Sequence, residues 1–254
     1  MKTNALIRGP VGTGKTHSLR TLRDCGISTR LISMEPGVED VLGDMPCPEL
    51  HWRYIRPLSL NWKEVTSFIK RMNIMGVGAL ADSADPNRGK YTQFLEVFYA
   101  CQHFVCDRCG EDLGCADDWD ETSTLAMDGL TGLCKLCMQT LVGAQPFVSL
   151  PTYKAGQEAV MSLMNMCLPL ACSFILIAHV DRELDSATGK VIQTVAGIGN
   201  KLAPQLVKAF SEVIETRREG STFFWSTDEA ETKGRRLPFS SKIPPSFTQI
   251  FKPV

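Results

Sequence analysis

Gly9-Pro10-Val11-Gly12-Thr13-Gly14-Lys15-Thr16 spells G-x-x-x-x-G-K-T near the start of a 254-residue chain. The run before it, Asn4-Ala5-Leu6-Ile7-Arg8, is short and apolar enough for a buried strand. Residues 17–24 after it suit a helix, with Gly26 just beyond to end it. Strand, glycine loop and helix in that order are the setting of a phosphate-binding loop. Glycines let backbone N–H groups close on phosphate oxygens where a Cβ would obstruct them. The first helical turn adds unpaired N–H groups and the positive end of its dipole. In this reading Gly9, Pro10, Val11, Gly12, Thr13, Gly14, Lys15, Thr16 and His17 hold a nucleotide. Lys15 reaches its β- and γ-phosphates, and the Thr16 hydroxyl ligates Mg²⁺.

Three further strand ends sharpen this reading, because ligands of α/β folds collect at the carboxyl ends of parallel strands. Residues 29–34 (TRLISM) form a strand that runs into Glu35-Pro36-Gly37, a turn signal. A carboxylate at Glu35 can polarise the water that attacks a γ-phosphate; the competing reading is a turn acid before Pro36. Residues 123–128 (STLAMD) end in Asp128, which fits a Walker B acid binding Mg²⁺ through water. Its alternative is an acid capping the next helix. Residues 173–179 (SFILIAH) are continuously apolar, as a central parallel strand requires, and end in His179. His179 is placed to sense phosphate hydrolysis, or else is a core histidine. Lys15, Glu35, Asp128 and His179 are the candidate catalytic set.

Around this centre the chain reads as alternating elements. Residues 52–55 suggest a third strand. Asn61 caps a helix with Glu64 as its capping-box partner, and Trp62, Val65, Phe68, Ile69 and Met72 line one face of it. Residues 81–90 read as loop, 91–103 and 130–142 as helix, and 143–153 as loop. Val160, Leu163, Met164, Cys167 and Leu168 follow the spacing of an amphipathic helix facing the core. Residues 181–190 are polar, with a turn at 186–189, and 202–210 are helical. Residues 213–216, 223–226 and 248–251 look like strands of a final antiparallel extension. The fold class is therefore α/β, with a mainly parallel central sheet and helices on both faces.

Composition excludes several classes. Apolar content of 44% and charged content of 22% are those of an ordinary globular chain. No window approaches 18 apolar residues, so nothing is expected to span a membrane. The start Met1-Lys2-Thr3-Asn4 lacks the apolar stretch of a signal peptide, and a cytoplasmic location follows as the expectation. Net charge is −1, so no global basic field recruits nucleic acid. From Asp107 to Glu121, however, seven acids face one base, a net −6, which leaves +5 for the remainder. A nucleic-acid surface would have to lie away from that segment.

The order of these motifs resembles the phage-encoded RecA-like nucleotide-binding proteins, some of which are single-strand annealing ATPases related to Rad51. It comprises the P-loop, Glu35, Asp128-Gly129-Leu130-Thr131-Gly132-Leu133, the strand ending Ile177-Ala178-His179, then Gly197-Ile198-Gly199-Asn200-Lys201 and a C-terminal Trp225-Ser226-Thr227 with Thr232-Lys233-Gly234-Arg235-Arg236. The likeness covers most of residues 6–251 and implies one RecA-like P-loop ATPase domain over 1–254, with a cysteine-containing acidic insertion at about 104–122. It implies ATP and Mg²⁺ as ligands. Lys15 and Thr16 match the family's Walker A residues, and Asp128 matches Walker B, with Gly129 where serine is expected. Glu35 matches the catalytic glutamate, and His179 stands where relatives carry a phosphate-sensing glutamine. Residues 143–156 and 181–196 correspond to loops that bind single-stranded DNA, with Lys154, Arg182 and Lys190 as their basic residues. Lys233, Arg235 and Arg236 correspond to cations that reach a neighbouring subunit's nucleotide in a ring or filament; the alternative is a solvated basic loop.

The implied function is ATP binding and hydrolysis on single-stranded DNA, in phage recombination or replication. Rival readings are a DNA motor or packaging ATPase, and a nucleotide-gated interaction protein with negligible turnover. Ten cysteines add a separate question. Cys106-x-x-Cys109-Gly110 resembles half of a zinc ribbon, and Cys134-x-x-Cys137 offers a second half. Against this, Cys134 and Cys137 fall in an expected helix where thiols often simply pack. His103, Cys106, Cys109 and Cys115 form the competing ligand set.

Overall fold

The computed structural model describes residues 2–58, 61–82, 88–143, 148–184, 191–228 and 236–251. Eight strands are seen among them: β1 (Asn4–Gly9), β2 (Ser28–Ser33), β3 (Leu50–Tyr54), β4 (Ser123–Asp128), β5 (Ser173–Leu184), β6 (Val191–Val195), β7 (Glu212–Glu219) and β8 (Thr222–Ser226). They join in the order β3-β2-β4-β5-β1-β7-β8, with β6 branching from β5. All pairings from β3 across to β7 are parallel. The β7–β8 and β5–β6 pairings are antiparallel. The expected parallel sheet with a C-terminal antiparallel extension is thus present.

Helices α1 (Lys15–Ser18), α2 (Val38–Leu42), α3 (Trp62–Asp82), α4 (Gln93–Gln102), α5 (Leu130–Val142), α6 (Leu150–Cys167) and α7 (Gly199–Ala209) accompany the sheet. Strand alternation sorts the core into two layers. Leu6, Met127, Leu176 and Val213 pack with α4 to α7 on one face. Ala5, Ile7, Ile175 and Ile214 pack on the other with residues 19–25, α2 and residues 237–251. Because both faces are covered, the central strands carry unbroken apolar runs rather than a polar and apolar alternation.

The structure departs from the sequence reading in five places, each with a local cause. The helix expected over 17–24 is one α turn followed by a 3₁₀ helix, Leu19–Cys25, which Gly26 closes at φ 69°. The Ser18 and Thr21 hydroxyls donate to the carbonyls of Lys15 and Ser18, three residues back, at 2.6 and 2.7 Å, and favour the tighter winding. Residues 181–184 and 191–195 are strand rather than loop. β5 runs on to Leu184 and pairs antiparallel with β6, Val180 with Val195 and Leu184 with Val191; residues 185–190, including Lys190, lie outside the described residues. Helix α6 starts at Leu150, so Tyr153 and Lys154 are helical. Ser149 caps it by accepting from the Thr152 N–H, and Pro151 occupies its first turn.

Helix α3 has the anticipated capping box, Asn61 N–H to Glu64 Oε2 at 2.9 Å and Glu64 N–H to Asn61 Oδ1 at 3.0 Å. It continues to Asp82, into the stretch read as loop. Of its expected apolar face, Trp62 is 89% and Ile69 57% exposed rather than in the core. Periodicity sets an apolar stripe on a helix but not a surface to bury it against. Finally, Phe247–Gln249 is a 3₁₀ turn where a strand was expected. There the Phe247 ring meets Trp225 edge-on at 5.1 Å, and its N–H donates to Thr21 Oγ1 at 2.8 Å.

Candidate nucleotide-binding site

Parallel register delivers the candidate residues to one rim. Gly9 lies beside His179, Asp128 beside Ile177, and Ser33 beside Asp128. The loop leaving β1 turns at Gly12 (φ 74°) and Gly14 (φ 81°), conformations that disfavour any side chain. Gly9 is required for a different reason: a Cβ there would overlap Thr216 of β7. Thr216 also bonds Thr13 Oγ1 at 2.6 Å, while Thr13 Oγ1 donates to Pro10 O at 2.8 Å. The loop is therefore fastened to the neighbouring strand. Val11 is 81% exposed at the mouth, and His17 is exposed as well.

Within the rim the side chains form two linked groups. Lys15 is buried, and its Nζ donates to Gly9 O at 2.9 Å and Pro10 O at 2.7 Å. The same Nζ is 3.2 Å from His179 Nδ1, and His179 Nε2 is 2.9 Å from Glu35 Oε2. An ammonium can only donate, so Nδ1 accepts and Nε2 carries the hydrogen given to Glu35. Lys15, His179 and Glu35 are thus one hydrogen-bonded row. Burial lowers the Lys15 pKa, and the charges of Asp128 and Glu35 offset part of that shift.

The second group is Thr16 and Asp128, whose hydroxyl and Oδ2 are 2.5 Å apart. Asp128 is buried, and its carboxyl is pushed up to about 6. Desolvation is the main cause; the Glu35 charge adds to it, while the Thr16 bond, Lys15 and His179 act the other way. A buried anion beside a hydroxyl is a fitting pair of hard oxygen ligands for Mg²⁺. Glycine at 129 also finds its reason here: a Cβ would overlap the Glu35 carboxylate, so a serine would push Glu35 aside.

These residues line a cleft of about 710 Å³ together with Arg20, Asp40, Phe223 and Pro245. The size suits a nucleotide. Phe223 of β8 leans over Gly14, and Thr216 anchors the loop. Neither was legible beforehand, because both reach the P-loop only through the pairing of β1 with β7 and of β7 with β8.

The remaining candidates are dispersed. Lys154 is exposed on α6, and Arg182 sits on β5 opposite Gln193. Next to the hairpin base is a groove of about 510 Å³ that includes Lys135, Tyr153, Asp181, Gly197 and Gly199. Lys233 and Arg235 lie outside the described residues. Arg236 is engaged in its own chain: its guanidinium donates to Thr3 Oγ1 and, at 2.8 Å, to Lys2 O, at the opposite end of β1 from the P-loop.

The two cysteine pairs do not meet, and neither proposed zinc set is assembled. Cys134 and Cys137 are buried on α5, where burial pushes both thiols to about 12. The Cys137 thiol donates to Gly156 O at 3.6 Å. They pack against the neighbouring helix as small apolar groups. His103 instead faces Asp112 at 3.5 Å and Cys115 faces Asp117 at 3.7 Å, away from Cys106 and Cys109. Among the described residues no helix is long and apolar enough to cross a membrane.

The chain belongs to the family described as AAA domain, whose model matches residues 1–242. It is thereby a P-loop NTPase. Among solved structures it is similar to a KaiC-like protein from the hyperthermophilic archaeon Pyrococcus horikoshii OT3. Identity is 13%, the match covers 94% of this chain and 83% of that one, and the TM-score is 0.38. Among curated proteins no sequence matches.

Proposed function

We propose that this member of the AAA domain family is an Mg²⁺-dependent ATPase acting on single-stranded DNA, annealing or pairing strands in phage recombination or replication. One observation carries the hydrolytic part of the reading. Lys15, Thr16, Glu35, Asp128 and His179 come from four separate stretches of chain and meet in one cleft. Thr16 and Asp128 would hold Mg²⁺, which when bound neutralises phosphate-oxygen charge as a Lewis acid. Lys15 binds and orients the phosphates, exchanging its carbonyl acceptors for phosphate oxygens. Glu35 takes the proton of the attacking water, and the His179 Nε2–H fixes which carboxylate oxygen is free to do so. Since Lys15 also touches His179 Nδ1, a change in what Lys15 binds alters the hold on Glu35.

The DNA part rests on position. The β5–β6 hairpin continues the strand that carries His179, so it is mechanically tied to the phosphate end of the cleft. Beside it the groove offers the Tyr153 ring and the Lys135 ammonium, the pairing of stacking surface and cation that single-strand binders use. Lys154 follows Tyr153 on α6 and Arg182 follows Asp181 on β5, and we read them, with Lys190, as the basic residues that meet the DNA backbone. We read the chain as a single ATPase domain that works as a ring or filament, with Lys233 and Arg235 as the cations offered to the next subunit.

ATP hydrolysis by the full chain, measured with Mg²⁺ alone, with single strands and with duplex, tests the reading. Single strands should accelerate turnover, and replacing Lys154, Arg182 and Lys190 together should flatten the salt dependence of DNA binding. Stimulation by duplex alone would favour a motor, and absent turnover with intact ATP binding would favour a nucleotide-gated interaction protein.

A further inference from the structure

At the outer edge of the sheet, four side chains from two distant stretches come together. Cys47, His51, Cys106 and Cys109 each offer one ligand atom, and these atoms all lie within 4.8 Å of one another. His51 and Cys109, 58 residues apart, approach at 3.7 Å between Nδ1 and Sγ. None of the four lines the nucleotide cleft. We propose that they form a structural zinc site, Cys₃His, which fastens the acidic insertion to edge strand β3.

The donor chemistry selects the metal. Three sulfurs and an imidazole are soft and borderline ligands that suit zinc and do not suit Mg²⁺ or Ca²⁺. Tetrahedral zinc with Zn–S bonds of about 2.3 Å places its ligand atoms about 3.8 Å apart, so the four need only a small contraction. The spacings C-x₃-H and C-x₂-C are of the length that lets two neighbouring ligands grip one ion. Four protein ligands leave no open position, so the site is structural and not catalytic. Binding releases the thiol protons to solvent.

The surroundings are built for the same end. Cys106 to Gly110 make a tight turn, closed by Gly110 N–H to Cys106 O at 2.9 Å, with Gly110 at φ 72°. Backbone N–H groups of Arg108 and Cys109 are directed at the Cys106 sulfur. His51 is buried on β3, with Nδ1 toward the cluster and Nε2 4.0 Å from Glu111 Oε2. The Glu111 carboxylate stands on the side of the second nitrogen, from which it would orient a metal-bound imidazole on closing to hydrogen-bond distance. Three thiolates and Zn²⁺ sum to −1, and Arg108 stands close by. Its guanidinium lies over the Trp52 ring at 4.4 Å and donates to Met45 O and Gly43 O at 2.7 and 3.2 Å. Asp107 completes the docking: its N–H donates to Trp52 O at 2.9 Å, and its carboxylate accepts from Tyr54 N–H at 2.7 Å and Arg53 at 2.8 Å. The turn thus covers β3, which borders the sheet on that side, and an open edge is a liability for strand pairing.

The test uses the full chain purified without a polyhistidine tag or chelator, with elemental analysis. A single equivalent of zinc is expected. After exchange, Co²⁺ should give thiolate-to-cobalt charge transfer and the intense visible bands of a tetrahedral site. Cys109→Ser, at an exposed position, should lose the metal or bind it at least tenfold more weakly. The double substitution Cys134→Ser with Cys137→Ser should keep the full equivalent, provided it folds. Metal-free protein that takes up neither added Zn²⁺ nor Co²⁺ would overturn the proposal, and so would a Cys47–Cys109 disulfide in the native chain or full zinc retention in Cys109→Ser. None of these readouts depends on ATP turnover.

Discussion

The cleft rim and the cysteine edge both gather polar side chains at a margin of the same sheet, yet they are held in opposite ways. At the rim, Lys15 and Asp128 are buried and each is driven by desolvation toward its neutral form. Their partners are carbonyls, a hydroxyl and an imidazole, groups that satisfy geometry without cancelling charge in full. At the edge, the scaffold is dense with main-chain bonds, and the clustered donors are thiols and an imidazole that need not be charged without a metal. A site that must bind and release a charged ligand can carry electrostatic strain that the ligand relieves. A site that must hold one ion permanently is better served by a rigid frame. On that contrast, substitutions at the rim change turnover and pH dependence while leaving metal content alone. Substitutions at the edge should do the reverse.

The largest expected effect tests the rim directly. Glu35→Gln retains the shape of the side chain but cannot accept the water's proton. Turnover should fall by about 10²–10⁴, the range for losing a positioned base, with ATP affinity changed only a few-fold. Single-turnover kinetics and calorimetric titration separate the two, and elemental analysis of the same sample should show its zinc unaltered. Turnover near that of the parent chain would remove Glu35 from the chemistry.

Next in size is the strain at Asp128. Its folded-state pKa of about 6 lies above the ordinary 3.8, so the folded chain binds the proton more tightly than the unfolded chain. Stability from this group is then present in full below pH 4 and lost as the pH rises to about 6. The shift of about two units corresponds to about 3 kcal/mol at neutral pH. Asp128→Asn should recover up to that amount at pH 7 in the absence of nucleotide and Mg²⁺, and little at pH 4. Chemical denaturation at the two pH values reads this out; an equal effect at both would mean that Asp128 is not strained by its burial.

The smallest effect concerns His179, which touches Lys15 and Glu35 and is assigned as a positioning residue. His179→Ala should lower kcat by about 10–100-fold, the worth of a hydrogen bond to a charged group. His179→Gln can still donate to Glu35 and should restore much of the loss. A purely structural histidine would show no such rescue, and both variants would then fail alike in a thermal melt.

Much of the P-loop rim could be read from the chain alone because its signals are local. Glycines at 12 and 14 report the backbone angles of the loop, and Lys15 and Thr16 follow directly on it. Glu35, Asp128 and His179 each end an apolar run, and parallel pairing of such runs leaves their ends on one side. The strand STLAMD and the helix that follows it fall where hydrophobic pattern placed them. What tertiary structure decided was every feature that depends on which surfaces meet. Trp62 and Ile69 have the periodicity of a buried face and are exposed, since nothing among the described residues covers them. Cys106 and Cys109 show half of a cluster, and the helical setting of Cys134 and Cys137 already allowed that they simply pack in the core, as they do; nothing in the sequence reveals that Cys47 and His51 stand beside the turn instead. Spacing along the chain fixes which neighbours a residue can share a turn with. Contacts across 58 residues depend on strand order and on how each segment docks, and those are properties of the packed molecule.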